Sequence, residues 1–154
     1  MPGPALTNED IRSDLSTRQA KLKWVIVVDD ALPAGRQANA AACIAASAGK
    51  QLPELVGHDG EDAGGFRHPG LPWAGCSVLA ADTATLHGLR SKAAEKADVL
   101  IIDMPEPAQT ARVYDQYLEQ LAGTKADDLT YCAVSLIGPR NRIDKLVGKL
   151  SLLR

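Results

Sequence analysis

Four apolar segments alternate along the chain with segments whose apolar residues recur at helical spacing. The apolar segments are residues 24–28, 76–81, 99–102 and 130–137. Continuous runs rich in β-branched residues, such as Trp24-Val-Ile-Val-Val28, are typical of strands buried on both faces. Helical spacing follows in residues 38–48, 86–93, 108–122 and 143–150. The alternation predicts an α/β fold, in which helices cover both faces of a small sheet.

The chain divides into a lead-in at residues 1–20 and a single domain at residues 21–154. The lead-in is rich in Pro and Gly at its start and carries only enough spaced apolar residues for one short helix. Residues 50–75 are rich in Gly, Pro and acidic residues and predict a long loop. Asp82 has the position of a helix N-cap, and Gly49 and Gly148 are the predicted ends of two helices.

The composition narrows the classes of function. A net charge of −2 argues against a nucleic-acid-binding surface, although residues 139–154 carry five cations and one anion. Three widely spaced cysteines match neither a disulfide framework nor a zinc site. No apolar run is long enough for a signal peptide or a membrane span. We therefore expect a cytoplasmic protein without a metal, a cofactor or a membrane partner.

Candidate site residues lie where the first strand gives way to the first helix. Ligands of α/β folds collect beyond the carboxyl ends of strands, and a helix N-terminus favours anions. Asp30, Gly35 and Arg36 occupy this junction, and Arg36 could hold a phosphate or carboxylate through two hydrogen bonds. The alternative is a surface ion pair between Asp30 and Arg36. Asn39 is a polar residue in an Ala-rich helix, which indicates either a ligand contact or a buried hydrogen bond.

Asp103 ends the third predicted strand and belongs to the same edge of the sheet. Its carboxylate could act as a general base, or it could cap the loop before Pro105. Cys43 is expected to be a buried, inert thiol. His58 and His68 flank the acidic loop at a spacing that matches no metal site, so we expect solvated side chains there.

Three segments carry a family resemblance. They are residues 23–49 with Asp29-Asp30, Gly35-Arg36 and Asn39, residues 59–82, and the closing segment that runs from Ile137-Gly138-Pro139 to Leu153. Together they resemble a bacterial family of small proteins of unknown function, which is grouped by fold with the type II peptidyl-tRNA hydrolases. The resemblance implies a three-layer α/β/α sandwich with a four-stranded mixed sheet, and a homodimer.

The resemblance also indicates which catalytic residues have changed. Those hydrolases open the first helix with Gly-Lys, continue it with Gln and His, and place Asp-Ala-Gly-x-Thr after the third strand. Gly35 and Arg36 match the first pair, whereas Ala40 and Cys43 stand at the Gln and the His. Asp103 matches the Asp, but Met104-Pro105 replace the Ala-Gly.

Two functional hypotheses follow. The first is a ligand-binding or dimerisation module that lacks most of the hydrolase residues, with a small anionic ligand held by Asp30, Gly35, Arg36 and Asn39. The second is a small hydrolase or transferase for an aminoacyl or peptidyl ester, in which Arg36 holds an anionic group and Asp103 handles a proton. The sequence does not decide whether the protein is an enzyme.

Overall fold

The computed structural model describes residues 3–154, and its centre is a five-stranded mixed sheet. The strands are β1 (Leu22–Asp29), β2 (Gly60–Glu61), β3 (Arg67–His68), β4 (Ser77–Ala81), β5 (Leu100–Pro105), β6 (Tyr131–Pro139) and β7 (Ser151–Leu152). The helices are α1 (Ala34–Gln51), α2 (Thr83–Ala94), α3 (Glu106–Thr110), α4 (Tyr114–Ala122) and α5 (Arg140–Val147). The strand order in the central sheet is β5-β6-β1-β4-β7, and β2 and β3 form a separate hairpin.

The central strand β1 pairs in parallel with β4 and antiparallel with β6. Its side chains alternate between two cores, because successive residues of a strand point to opposite faces. Ile26 and Val28 belong to the core under α1, whereas Val25 and Val27 belong to the core under α2 and α5. This two-sided burial explains the continuous apolar run of the sequence.

Helices cover both faces of the sheet, as predicted. Helix α1 buries Ala40, Ile44 and Ala48 against one face. On the other face α2 buries Leu86 and α5 buries Ile143. The predicted α/β class with a mixed sheet is therefore confirmed.

The number of strands is a correction to the four-stranded prediction. After the helix that ends at Gly148, as predicted, the chain turns back and Ser151 and Leu152 pair with Ala80 and Leu79 as strand β7. Both residues of this strand are exposed. Because both residues are exposed, they show no apolar pattern from which the strand could be predicted.

Three further segments differ from prediction. The helix expected over 108–122 is two helices, because the backbone is extended at Ala111 and Val113. The long loop contains a short 3-10 helix and the β2–β3 hairpin, and α1 continues two residues past Gly49. Residues 3–20 contain turns without the expected short helix.

Across residues 3–154, none of the helices combines the length and the apolarity needed to cross a membrane.

Candidate functional site

The loop between β1 and α1 is held by a buried carboxylate. Asp29 is 5% exposed, and its side chain accepts hydrogen bonds from the Ala31 N–H at 2.9 Å and the Thr83 hydroxyl at 2.8 Å. The Gln37 side-chain amide donates to the Asp29 carbonyl oxygen at 3.2 Å. These bonds tie the end of β1 to the starts of α1 and α2, and so they fix where α1 presents Arg36.

Four side chains then meet at this end of the sheet, and we call them the Arg36 cluster: Arg36, Asn39, Gln109 and Cys132. The Arg36 Nε donates to Gln109 Oε1 at 2.8 Å, and Gln109 Nε2 donates to the Arg36 carbonyl oxygen at 2.8 Å and to Asn39 Oδ1 at 3.1 Å. The Cys132 thiol donates to Gln109 Oε1 at 3.3 Å. Gln109 of α3 therefore joins two residues of α1 to the start of β6.

The cation of the Arg36 cluster has no carboxylate partner within residues 3–154, since none lies within 4 Å. The first turn of α1 contains no acidic residue either, and Pro33 provides no side-chain cap. The N-terminal end of a helix carries a partial positive charge. A half-buried guanidinium and an uncapped helix end thus share one region.

Cys132 is 2% exposed, and this burial raises the pKa of its thiol above the usual value. Arg36 lowers that pKa in part, while the negative charges of Glu106 and Asp29 raise it further. The thiol therefore stays protonated near neutral pH, where it is a poor nucleophile.

Asp103, the predicted general base, lies on the other face of the sheet. Its neighbours Ile102 and Met104 pack in the core under α1, so strand alternation points Asp103 toward α2. There its carboxylate accepts a hydrogen bond from Arg90 Nε at 3.1 Å. The guanidinium of Arg90 also lies 5.7 Å from the centre of the Tyr131 ring. Asp103 therefore belongs to a separate ion pair.

Of the other predicted site residues, Asn39 joins the Arg36 cluster, and Asp30 and Gly35 do not. Asp30 is exposed, and its backbone N–H donates to the Ala81 carbonyl oxygen at 3.0 Å. The alternative surface pair between Asp30 and Arg36 is not formed. A side chain at Gly35 would meet open space, so its glycine is not required by packing.

The remaining reactive side chains do not form a second cluster. Cys43 is exposed, so the expectation of a buried thiol was wrong. His58 is exposed, and the exposed ring of His68 lies 3.2 Å from Asp62. Within the described part of the chain, no three His, Cys, Asp or Glu side chains are grouped to hold a metal ion.

Sequence reasoning missed two members of the Arg36 cluster. Gln109 follows Pro105-Glu106-Pro107, a pattern that favours a helix start and could have indicated α3. Cys132 lies in an apolar run, and its proximity to Arg36 depends on the antiparallel pairing of β6 with β1. No local signal in the sequence gives that pairing.

Comparison with known proteins gives a family and a fold. A family model described as a protein of unknown function, DUF2000, matches residues 22–154. The chain is also similar in structure to a protein of unknown function, Atu0240, from Agrobacterium tumefaciens strain C58. The TM-score is 0.79 at 18% sequence identity, over 86% of this chain and 97% of that one. A comparison with curated proteins finds no match. The likeness to type II peptidyl-tRNA hydrolases stays a prediction.

Proposed function

The chain belongs to the DUF2000 family of proteins of unknown function, and we propose that it is a binding protein that holds a small anionic ligand at the Arg36 cluster. The observation that carries this proposal is a half-buried arginine whose Nε is held by Gln109 and which has no carboxylate within 4 Å among residues 3–154. A preorganised guanidinium loses little conformational entropy when it binds a carboxylate or phosphate.

The start of α1 supports an anionic ligand. The N–H groups of Arg36 and Gln37 already donate to the Pro33 carbonyl oxygen, at 2.9 and 3.0 Å. The earlier N–H groups of the helix, at Ala34 and Gly35, have no partner within a helix. An anion placed before the first turn can accept from them and from Arg36 together.

Binding is better supported than catalysis because the Arg36 cluster lacks a proton acceptor. It contains a guanidinium, two amides and a thiol whose pKa is raised by burial. None of these groups takes up a proton near neutral pH. A hydrolase of the proposed kind would need a base beside its ligand.

The hydrolase hypothesis, which pairs Arg36 with Asp103, is weaker for a related reason. Asp103 pairs with Arg90 on the opposite face, so the two residues do not share one cleft. The relationship to type II peptidyl-tRNA hydrolases is thus a proposal about ancestry and fold. The test is an assay of diacetyl-lysyl-tRNA hydrolysis by the wild type, by Arg36→Ala and by buffer alone. Equal rates in all three would exclude peptidyl-tRNA hydrolase activity.

The binding proposal is tested by NMR titration with acetate and inorganic phosphate at constant ionic strength. We expect saturable shifts at the backbone amide of Gly35 and the side-chain amides of Asn39 and Gln109. Arg36→Gln should abolish the shifts. Arg112→Gln, which removes an exposed arginine three residues beyond Gln109, should retain them. The absence of shifts in the wild type, or equal shifts in both variants, would contradict the proposal.

A second candidate is dimerisation through α4. No residue of this helix is buried, and its apolar side includes Tyr114 (71% exposed) and Leu118 (43%), with Val113 (51%) just before it. The neighbouring strand β5 is an edge of the sheet. Light scattering after gel filtration should give a dimer that Leu118→Lys converts to a monomer. A monomeric wild type at high protein concentration would exclude this function.

A further inference from the structure

A cationic cavity lies at the opposite end of β1 from the Arg36 cluster. Its volume is about 410 Å³, within the range of small-molecule pockets. The lead-in forms one wall with Thr17 and Arg18, and the body of the fold contributes Lys23, Ser77 and Arg140. Lys23 stands at the start of β1, whereas the Arg36 cluster lies beyond its end. The two regions share no residue.

The charges around this cavity, which we call the lead-in pocket, are predominantly positive. Three cations line it, Arg18, Lys23 and Arg140. Lys23 pairs with Asp144, the one carboxylate bound to any of the three within residues 3–154. Arg18 is exposed and has no ion-pair partner in the described chain. Two of the three positive charges are therefore uncompensated.

The lead-in pocket is held in shape by hydrogen bonds and close packing. Arg140 Nε donates to the Ala20 carbonyl oxygen at 2.8 Å, and Arg140 Nη2 donates to that of Thr17. On the other side Gly75 adopts φ +70°, and a side chain there would meet Thr17 at 3.0 Å. The lead-in is thus fixed against the ends of β1 and β4, so the cavity exists before any ligand binds.

The lining also has an apolar part, which Trp24 and Ala74 supply. Trp24 is 4% exposed, and its indole N–H already donates to the Ser135 hydroxyl at 2.8 Å. Thr17 and Ser77 add two hydroxyl-bearing residues to the lining.

We propose that the lead-in pocket binds a small organic phosphate, with its phosphoryl group at Arg18, Lys23 and Arg140 and its apolar part against Trp24. A phosphoryl group carries a charge near −2 at neutral pH and several acceptor oxygens, which matches several cations and two hydroxyls. This site lies outside the function proposed above and stands on different residues.

The test uses phenyl phosphate as the probe and Trp24 as the reporter. In a Trp73→Phe background Trp24 is the remaining tryptophan. We expect a saturable change in its fluorescence at constant ionic strength. Arg18→Gln should weaken binding by about tenfold, which is about 1.4 kcal/mol, because it removes one charge-assisted hydrogen bond. Arg112→Gln, which removes an exposed arginine elsewhere, should leave the affinity unchanged.

A second measurement guards against a misfolded variant. NMR of the wild type with phenyl phosphate should shift the amides of Gly75 and Ser77. Fluorescence and amide signals that do not saturate would overturn the proposal. So would equal affinities for Arg18→Gln and Arg112→Gln, or equal binding of uncharged phenol, because each would remove the role of the cations.

Discussion

The hydrogen bond between Thr83 and Asp29 should contribute measurably to stability, since it satisfies a buried carboxylate. Asp29 is 5% exposed and has no cationic partner within 4 Å in the described chain, so the Ala31 N–H and the Thr83 hydroxyl are the hydrogen-bond donors that satisfy its side chain. Thr83→Val removes that hydroxyl with almost no change of shape. Thr83→Ser keeps the hydroxyl and is the matched control.

The expected loss for Thr83→Val is about 1.5–3 kcal/mol, the usual range for a hydrogen bond to a charged group. For a chain of this size that corresponds to a Tm lower by roughly 3–12 °C. Val and Thr have similar helix propensity, so the first turn of α2 contributes little to the difference. Urea and thermal unfolding followed by circular dichroism measure both quantities. A Thr83→Val variant within about 0.5 kcal/mol of Thr83→Ser would refute the reasoning, since surface changes fall in that range.

Three other substitutions test separate features of the fold. Ser135→Ala leaves the buried indole N–H of Trp24 without its acceptor and should cost about 1–3 kcal/mol in urea unfolding. Hydrogen bonds from Thr85, in the first turn of α2, hold the pKa of the Asp82 carboxyl below its usual range. The charged carboxylate therefore stabilises the fold at neutral pH, and this contribution decreases as the pH falls below about 4. Asp82→Asn should therefore differ from the wild type in Tm at pH 7, and the difference should shrink as the pH is lowered below about 4. A difference that does not change with pH would contradict this. Gly70→Ala should lower the free energy of unfolding by more than about 1 kcal/mol, because its Cβ would lie 1.9 Å from the backbone oxygen of Gly57. Gly60→Ala is the control and should not have this effect, because a Cβ there would meet open space.

The strands were predictable because a strand that is buried on both faces appears in the sequence as a nearly continuous apolar run. The segment Trp24–Val28 is apolar at every position, and the sheet buries it on both faces. The region of α3 and α4 was predicted less well. The helical spacing of Val113, Tyr114 and Leu118 is present, yet these residues are exposed and the helix is interrupted before them. The helical spacing of apolar residues predicts that a helix has an apolar face, but it does not show whether another part of the fold covers that face.

The Arg36 cluster was half predictable. Arg36 stands out because it lies where a strand gives way to a helix, and Asn39 because it is a polar residue in an Ala-rich helix. Gln109 and Cys132 reach them only through the tertiary arrangement of α3 and β6. Asp103 was predicted to end its strand, which was wrong, because β5 continues for two residues beyond it to Pro105. The face toward which its side chain points depends on the pairing of β5 with β6, which the sequence does not give.

The two proposed sites should act independently, which follows from the length of β1. Lys23 lies six residues before Asp29, the last residue of β1, so roughly 20 Å separate the two ends at about 3.3 Å per residue. That distance exceeds the Debye length of about 8 Å at physiological salt, so the charges of one site barely affect anions at the other. Arg18→Gln should therefore leave the acetate titration of the Arg36 cluster unchanged. A change in its affinity of several-fold could not be electrostatic, and would show that β1 or the helices packed on it adopt a second arrangement that both sites bias.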